Sequence, residues 1–214
     1  MGEKIAGKDG VDLEKIERYF ETYKKNTLGK LSKEDRSKKG CVDKDIRGLI
    51  DKINSFDDFY TTSSCSGRIM LIDKSSGRKD MAEWLLSSHD PIKPKDFKDV
   101  FDEDYLASEK FSKSYIWFKQ EPAILHVCCR NLDAAKRLLE IVRAVPFKRS
   151  GIIAFSKRIV VEVLDTEKME TLVAKHGRLL VDDDYAKILV DEANSKLKKT
   201  KSKLKKLEKD FKML

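Results

Sequence analysis

Apolar residues recur at helical spacing in the first fifty positions, at strand spacing through the middle, and at helical spacing again near the end. Leu13, Ile16, Phe20 and Tyr23 fall three or four apart and predict a helix over 11–25. A polar, basic stretch follows at 33–40. Asp43 then stands where an N-cap belongs, ahead of a second helix with Ile46, Leu49, Ile50 and Ile53 on one side. Residues 1–10, with Gly2, Gly7 and Gly10, read as a flexible N-terminus.

The period then changes. Residues 59–62 and 68–72 are rich in strand formers, and the polar Ser-Cys-Ser-Gly between them reads as the turn of a hairpin. A strand is predicted at 82–88 and a partly irregular helix at 96–107. Two more strands, 115–119 and 123–129, are broken at Glu121-Pro122. Asn131 caps a helix with Ala135, Leu138, Leu139 and Val142 inward, ended by Pro146. Residues 152–155 and 158–164 flank a short link at Ser156-Lys157. A further strand near 169–174 precedes a turn at His176-Gly177.

From Asp182 the pattern is helical almost to the end. Ala186, Val190, Ala193, Leu197, Thr200, Leu204, Leu207 and Phe211 alternate spacings of four and three, a heptad seam. Such a helix is roughly 45 Å long, so part of it is expected to project or to pack on a partner. Helices and strands mix without strict βα alternation. The expected fold is α+β: a mixed, mainly antiparallel curled sheet with flanking helices and a long C-terminal helix. The expected organisation is a flexible 1–10, one domain over 11–195, and a lysine-rich helical extension over 196–214.

Charge changes this picture mainly at the C-terminus. The formal net charge is +8, but residues 196–214 hold nine lysines against Glu208 and Asp210 and so supply +7 of it. That stripe suits a phosphate backbone, with Lys198, Lys199, Lys203 and Lys206 as candidate contacts. A coiled-coil homodimer through the heptad seam competes for the same helix. Cys41, Cys65, Cys128 and Cys129 form no C-x-x-C pair and read as reduced thiols, with no zinc ribbon. No N-terminal apolar run resembles a signal peptide, and no stretch approaches about 18 apolar residues. The expectation is a soluble, cytoplasmic protein away from membranes.

Candidate chemistry centres on residues 63–68. Ser63, Ser64 and Ser66 offer hydroxyls, Gly67 permits a bend that exposes N–H groups, and Arg68 adds a fixed cation; together they suit an anion. An ordinary turn with a solvated arginine is the plainer alternative. Cys65 has no histidine beside it in sequence to make it a nucleophile. His126, inside an apolar strand, and His89, before Asp90-Pro91, are candidate bases; each also reads as a structural histidine. His176 reads as a turn residue, and no ligand spacing supports a metal. Neither G-x-G-x-x-G nor G-x-x-x-x-G-K occurs, which disfavours a Rossmann site or a P-loop. Tyr60, Trp84 and Trp117 are candidates for stacking on a base, with core packing the default for each.

The run Tyr60-Thr61-Thr62-Ser63-Ser64-Cys65-Ser66-Gly67-Arg68-Ile69 resembles the signature of the tRNA wybutosine-synthesising methyltransferases, the third enzyme of that pathway. Further blocks resemble the family in the same order: Ser37-Lys38-Lys39-Gly40 with Asp43; Trp84 and His89; Glu121-Pro122-Ala123-Ile124-Leu125-His126-Val127 with Arg130; and Ser150-Gly151-Ile152. The resemblance spans roughly residues 12–195.

The resemblance implies a fold unlike the Rossmann methyltransferases, with S-adenosylmethionine as donor. It implies methylation of ring nitrogen N-4 of the 4-demethylwyosine-type tricyclic base at position 37 of phenylalanine tRNA. Arg130, Ser150 and Gly151 join residues 63–68 as candidate anion-binding residues, Lys38 and Lys39 join the candidate tRNA contacts, and His126 or His89 would take the ring N–H proton. A noncatalytic RNA-binding or coiled-coil scaffold is the competing reading, resting on the basic heptad helix alone.

Overall fold

The computed structural model describes residues 12–31, 42–75 and 82–211. The chain divides into two compact units, one of residues 1–65, 124–164 and 205–214, the other of residues 66–123 and 165–204.

In the first unit the helical spacings produce α1 (Leu13–Leu31) and α2 (Lys44–Ser55). The four apolar residues of α2 are its buried residues. Asp43 occupies the N-cap position but makes no side-chain cap bond there. β1 (Phe59–Cys65), β5 (Ile124–Cys129), β7 (Ile159–Leu164) and β6 (Gly151–Phe155) form a sheet in that order. α6 (Leu132–Ala144) packs on β5 and β7. Asn131 Oδ1 caps α6 by accepting from the Ala134 N–H at 2.9 Å. On one face of the sheet Phe20 of α1 meets Tyr60, Cys128 and Val160. On the other, Asn54 of α2 bonds the Thr61 backbone and side chain.

The second unit is built on β2 (Arg68–Asp73), β3 (Glu83–Ser88), β4 (Tyr115–Glu121), β8 (Met169–Lys175) and β9 (Arg178–Leu179), in the order β3-β2-β4-β8-β9. β4 alternates buried and half-buried residues along its whole length. Its buried side, Ile116 and Phe118, joins Ile69, Leu71 and Val173 in one core with Phe97, Phe101 and Phe111. The helix expected at 96–107 is broken into α3 (Pro94–Lys98), a 3-10 turn (Asp99–Phe101) and α4 (Glu103–Ala107), followed by α5 (Glu109–Ser112). Asp102 and Ser108 cause the breaks after the turn, because their side chains cap new helices at Tyr105 and Phe111.

Among the described residues every strand pairing is antiparallel. The α+β expectation holds, but the single mixed sheet becomes two antiparallel ones. The expected hairpin at residues 59–72 is also corrected: β1 pairs β5, whereas β2 pairs β3 and β4. Ser66-Gly67 has the length of a hairpin turn, yet it passes the chain from one sheet into the other. Gly67 takes φ +91°, and a Cβ there would lie 3.1 Å from the Glu121 carbonyl oxygen and 3.2 Å from Thr200 Cγ2. The β6–β7 hairpin forms as expected, and the expected turn at His176-Gly177, both at positive φ, leads into a short strand β9 that pairs back on β8.

α7 (Asp183–Asp210) is one unbroken helix, so residues 196–210 continue it. All eight seam residues from Ala186 to Phe211 are buried within the chain itself. That corrects the expected dimer seam: the apolar stripe is already covered, and the C-terminal half of α7 exposes Lys198, Lys199, Lys205, Lys206 and Lys209. Among the described residues no helix is long and apolar enough to cross a membrane.

Candidate active site

Three strands of the first unit line up one polar side chain each. Ser63 of β1 stands opposite His126 of β5, and His126 opposite Glu162 of β7. The side chains meet: Ser63 Oγ lies 2.9 Å from His126 Nδ1, and His126 Nε2 lies 3.1 Å from Glu162 Oε2. A register shift between Thr61 and Ser63 brings Ser63, rather than Thr62, opposite His126. On the edge strand Gly151 is opposite Glu162, and among the described residues no heavy atom beyond its chain neighbours comes within 4 Å of where a Cβ would be. The row is therefore open at its Gly151 end.

Tautomer and direction follow from the partners. A carboxylate accepts, so Nε2–H of His126 donates to Glu162, and in the neutral imidazole Nδ1 then accepts from the Ser63 hydroxyl. The His126 and Glu162 side chains are 30 % and 24 % exposed, within reach of a ligand yet partly shielded. This is the geometry of a base with an orienting partner. The neighbouring row on the same face differs. Burial pushes the Tyr60 phenol and the Cys128 thiol up, so neither ionises readily.

The other sequence candidates have structural partners. Arg68 donates to Glu121 from Nε at 3.2 Å and from a terminal nitrogen at 3.0 Å, and its guanidinium lies 4.1 Å over the Trp84 ring. Arg130 bonds Asp58, Glu21 and the Asp57 carbonyl and stacks over Phe20, which fastens α1 to the end of β5. Burial works against its charge, yet those carboxylates raise its pKa further. Ser150 is buried, donating to the Phe147 carbonyl and accepting from Leu164 N–H. His89 Nδ1 is 2.8 Å from the Gly67 carbonyl oxygen, a strap on the Ser66-Gly67 link in the second unit. Ser66 is buried, while Ser64 and Cys65 are half-buried.

Among the stacking candidates Tyr60 is fully buried against Phe20, Trp117 is half-buried, and only Trp84 is exposed. Lys203 is held by Asp165 at 2.7 Å and Glu167 at 2.9 Å, whereas Lys198, Lys199 and Lys206 are exposed. Lys38 and Lys39 lie outside the described residues. A cavity of about 400 Å³ in the first unit is lined by Leu28, Val42, Arg47, Ile50, Asp51, Asn54 and Ser55, and by none of the row residues.

Residues 22–213 match the family model described as Methyltransferase TYW3. The chain belongs to the TYW3 methyltransferase family. It is 41 % identical over 191 residues to an Archaeoglobus fulgidus protein, covering 88 % of this chain and 91 % of that one. It is 38 % identical over 200 residues to one from Thermococcus sibiricus, covering 92 % and 97 %. Both relatives are named tRNA(Phe) 7-((3-amino-3-carboxypropyl)-4-demethylwyosine(37)-N(4))-methyltransferase. The solved structure of the PH1069 protein from Pyrococcus horikoshii is similar, with a TM-score of 0.82 and 33 % identity over 92 % of this chain and 98 % of that one.

A methyltransferase of this family implies a sulfonium donor, which carries two positive groups, the sulfonium and the ammonium, and one carboxylate, and the residues fit them unequally. For the positive groups the row offers Glu162, a partly exposed carboxylate that bonds His126 through one oxygen. Arg68, expected to hold either the donor's carboxylate or a tRNA phosphate, and Arg130, a candidate anion-binding residue, are each already balanced by carboxylates of the chain. Glu162 is absent from the sequence reading, although it left a signal there: it is the single charge in an otherwise apolar strand, Ile-Val-Val-Glu-Val-Leu.

Proposed function

We propose that this chain methylates ring nitrogen N-4 of the 4-demethylwyosine-type base at position 37 of phenylalanine tRNA, a step of wybutosine biosynthesis. S-adenosylmethionine, when bound, supplies the methyl group. Family membership and the relatives' names support the reaction, and the observation that carries its chemistry is the Ser63–His126–Glu162 row.

The chain's own task is the proton. A new N–C bond to the methyl group would be balanced by loss of its bond to sulfur, the electron pair leaving with a neutral thioether; the ring N–H electron pair stays on the ring and the proton must leave. His126 Nδ1 is the acceptor, either directly or across the Ser63 hydroxyl. Glu162 holds the imidazolium that forms, and it fixes the tautomer that leaves Nδ1 available. Ser63 Oγ marks where the N–H of the acceptor base would bind. No thiol nucleophile is required, which agrees with the buried Cys128 and Cys129.

Incubation with labelled S-adenosylmethionine and tRNA bearing the unmethylated tricyclic base, followed by nucleoside mass analysis, tests the reading. One added methyl on the tricyclic base is the expected product. An unchanged nucleoside, or a methyl found on another base, would overturn it. The scaffold alternative gains nothing from the structure, since the seam a coiled coil needs is already buried.

A further inference from the structure

The sequence concentrates positive charge in the C-terminal helix, but folding spends part of that charge internally. Lys196 meets Glu192 at 3.3 Å and Glu167 at 3.8 Å, Lys201 meets Asp90 at 2.9 Å, and Lys203 sits between Asp165 and Glu167. Another segment keeps its charge. Residues 141–161 contain Arg143, Lys148, Arg149, Lys157 and Arg158 and no aspartate or glutamate. Folding places Lys148-Arg149 just before β6 and Lys157-Arg158 just after it, all four exposed. Among the described residues no carboxylate pairs with Lys148, Arg149 or Lys157.

β6 is the outer strand of its sheet. Ile152, Ile153 and Phe155, three of its five residues, are 42 %, 52 % and 40 % exposed. An edge strand with apolar side chains outward invites a partner. Charge selects which partner. A second copy pairing antiparallel through β6 would set Lys148-Arg149 of one chain against Lys157-Arg158 of the other, at both ends of the contact. That arrangement is repulsive twice over. A polyanion meets attraction at both ends, and bases meet Phe155 and Ile153 between them.

We propose that β6 and its basic flanks form the surface on which an RNA strand docks. Gly151, the first residue of β6, is opposite Glu162, so the surface starts one strand away from the His126–Glu162 pair. Gly151 and Ala154 share the row's face of the sheet, whereas Ile152 and Phe155, opposite Val161 and Ile159, lie on the other, so a strand docked along β6 would reach the row only at its Gly151 end. The identity of the RNA as tRNA rests on the function proposed above; the charge and exposure of the strand do not.

The test uses the full chain carrying Lys148→Ala, Arg149→Ala and Lys157→Ala together. Arg158 is left in place, because it lies 5.9 Å over the Tyr23 ring and serves the fold. Binding of a phenylalanine-tRNA transcript is followed by fluorescence anisotropy at several salt concentrations, beside a Lys198→Ala, Lys199→Ala, Lys206→Ala chain. The β6 variant should bind about tenfold or more weakly, and its slope of log K against log salt should shrink by roughly 2, about 0.7–0.9 for each phosphate that is no longer neutralised. Its melting temperature should match wild type. An unchanged affinity and slope, or a weakening confined to the helix variant, overturns the proposal. So does a wild-type dimer in sedimentation that Ile153→Asp converts to monomer. Methyl transfer run in parallel separates the two claims. A chain that binds tRNA through β6 but transfers no methyl sinks the enzymatic reading alone. One that methylates tRNA equally well without the three cations sinks the surface alone.

Discussion

His126 Nε2 and Glu162 Oε2 are 3.1 Å apart on adjacent strands, and this pair fixes which imidazole nitrogen faces the Ser63 hydroxyl. β5 and β7 are paired in register on both sides of it, from Ile124–Leu164 to Cys129–Ile159. The orientation is therefore set by the sheet rather than by a loop, which is what a reproducible proton acceptor needs.

His126→Asn should lower the single-turnover methyl-transfer rate by roughly 10²–10⁴-fold, the usual contribution of a positioned base. Donor-induced thermal stabilisation should stay near wild type. Glu162→Gln should act through His126, lowering kcat by on the order of tenfold to a hundredfold with little change in KM for tRNA. A Glu162→Gln chain with full kcat, measured across the pH range, would remove Glu162 from the proton path.

Gly67→Ala should destabilise the chain by about 1–3 kcal/mol. The positive φ disfavours any Cβ, and this one would press on the Glu121 carbonyl and the Thr200 methyl. Urea unfolding checks it. An unaltered midpoint would mean that the Ser66-Gly67 link relaxes without cost.

Leu197→Ala should cost about 2–5 kcal/mol, because Leu197 is fully buried in the core of the second unit. The destabilisation should be the same at every protein concentration. A melting temperature that climbs with concentration would instead show that the seam is shared between copies.

Glu170 supplies a pH dependence of stability. Burial opposes its charge, but Lys119 and Lys74, each 3.2 Å away, outweigh that and hold its carboxyl below the ordinary value of 4.5. The folded state thus takes up this proton less readily than the unfolded chain. The stabilisation is present above about pH 4.5 and is lost as pH falls through the folded-state value. Glu170→Gln should therefore flatten the acid limb of melting temperature against pH. An acid limb as steep as wild type would assign that limb to other carboxylates.

Periodicity was enough to predict α2, α6, the β6–β7 hairpin and the α7 seam, since each depends on residues close in sequence. It failed at Ser66-Gly67. A two-residue link has the same local signature whether the strand that follows pairs with the one before or enters another sheet. The pairing is decided by β5 and β4, some sixty and fifty residues further on.

The candidate site divides the same way. The ordered blocks around residues 63–68, 89, 121–130 and 150–152 identified the family, because a side-chain order along the chain is all a signature needs. Sequence singled out His126 and Ser63 but gave them no partner, and it passed over Glu162 and the β6 flanks. Register decided that His126 lies between Ser63 and Glu162, since cross-strand neighbours meet at hydrogen-bond distance whatever their separation in the chain. Ion pairing decided which cations keep their charge for a ligand. Arg68, Arg130 and Lys203 have theirs balanced by Glu121, by Glu21 and Asp58, and by Asp165 and Glu167, and none of those pairs is adjacent in sequence. Sequence therefore fixes which groups the protein owns. Only the folded chain determines which of them are already neutralised.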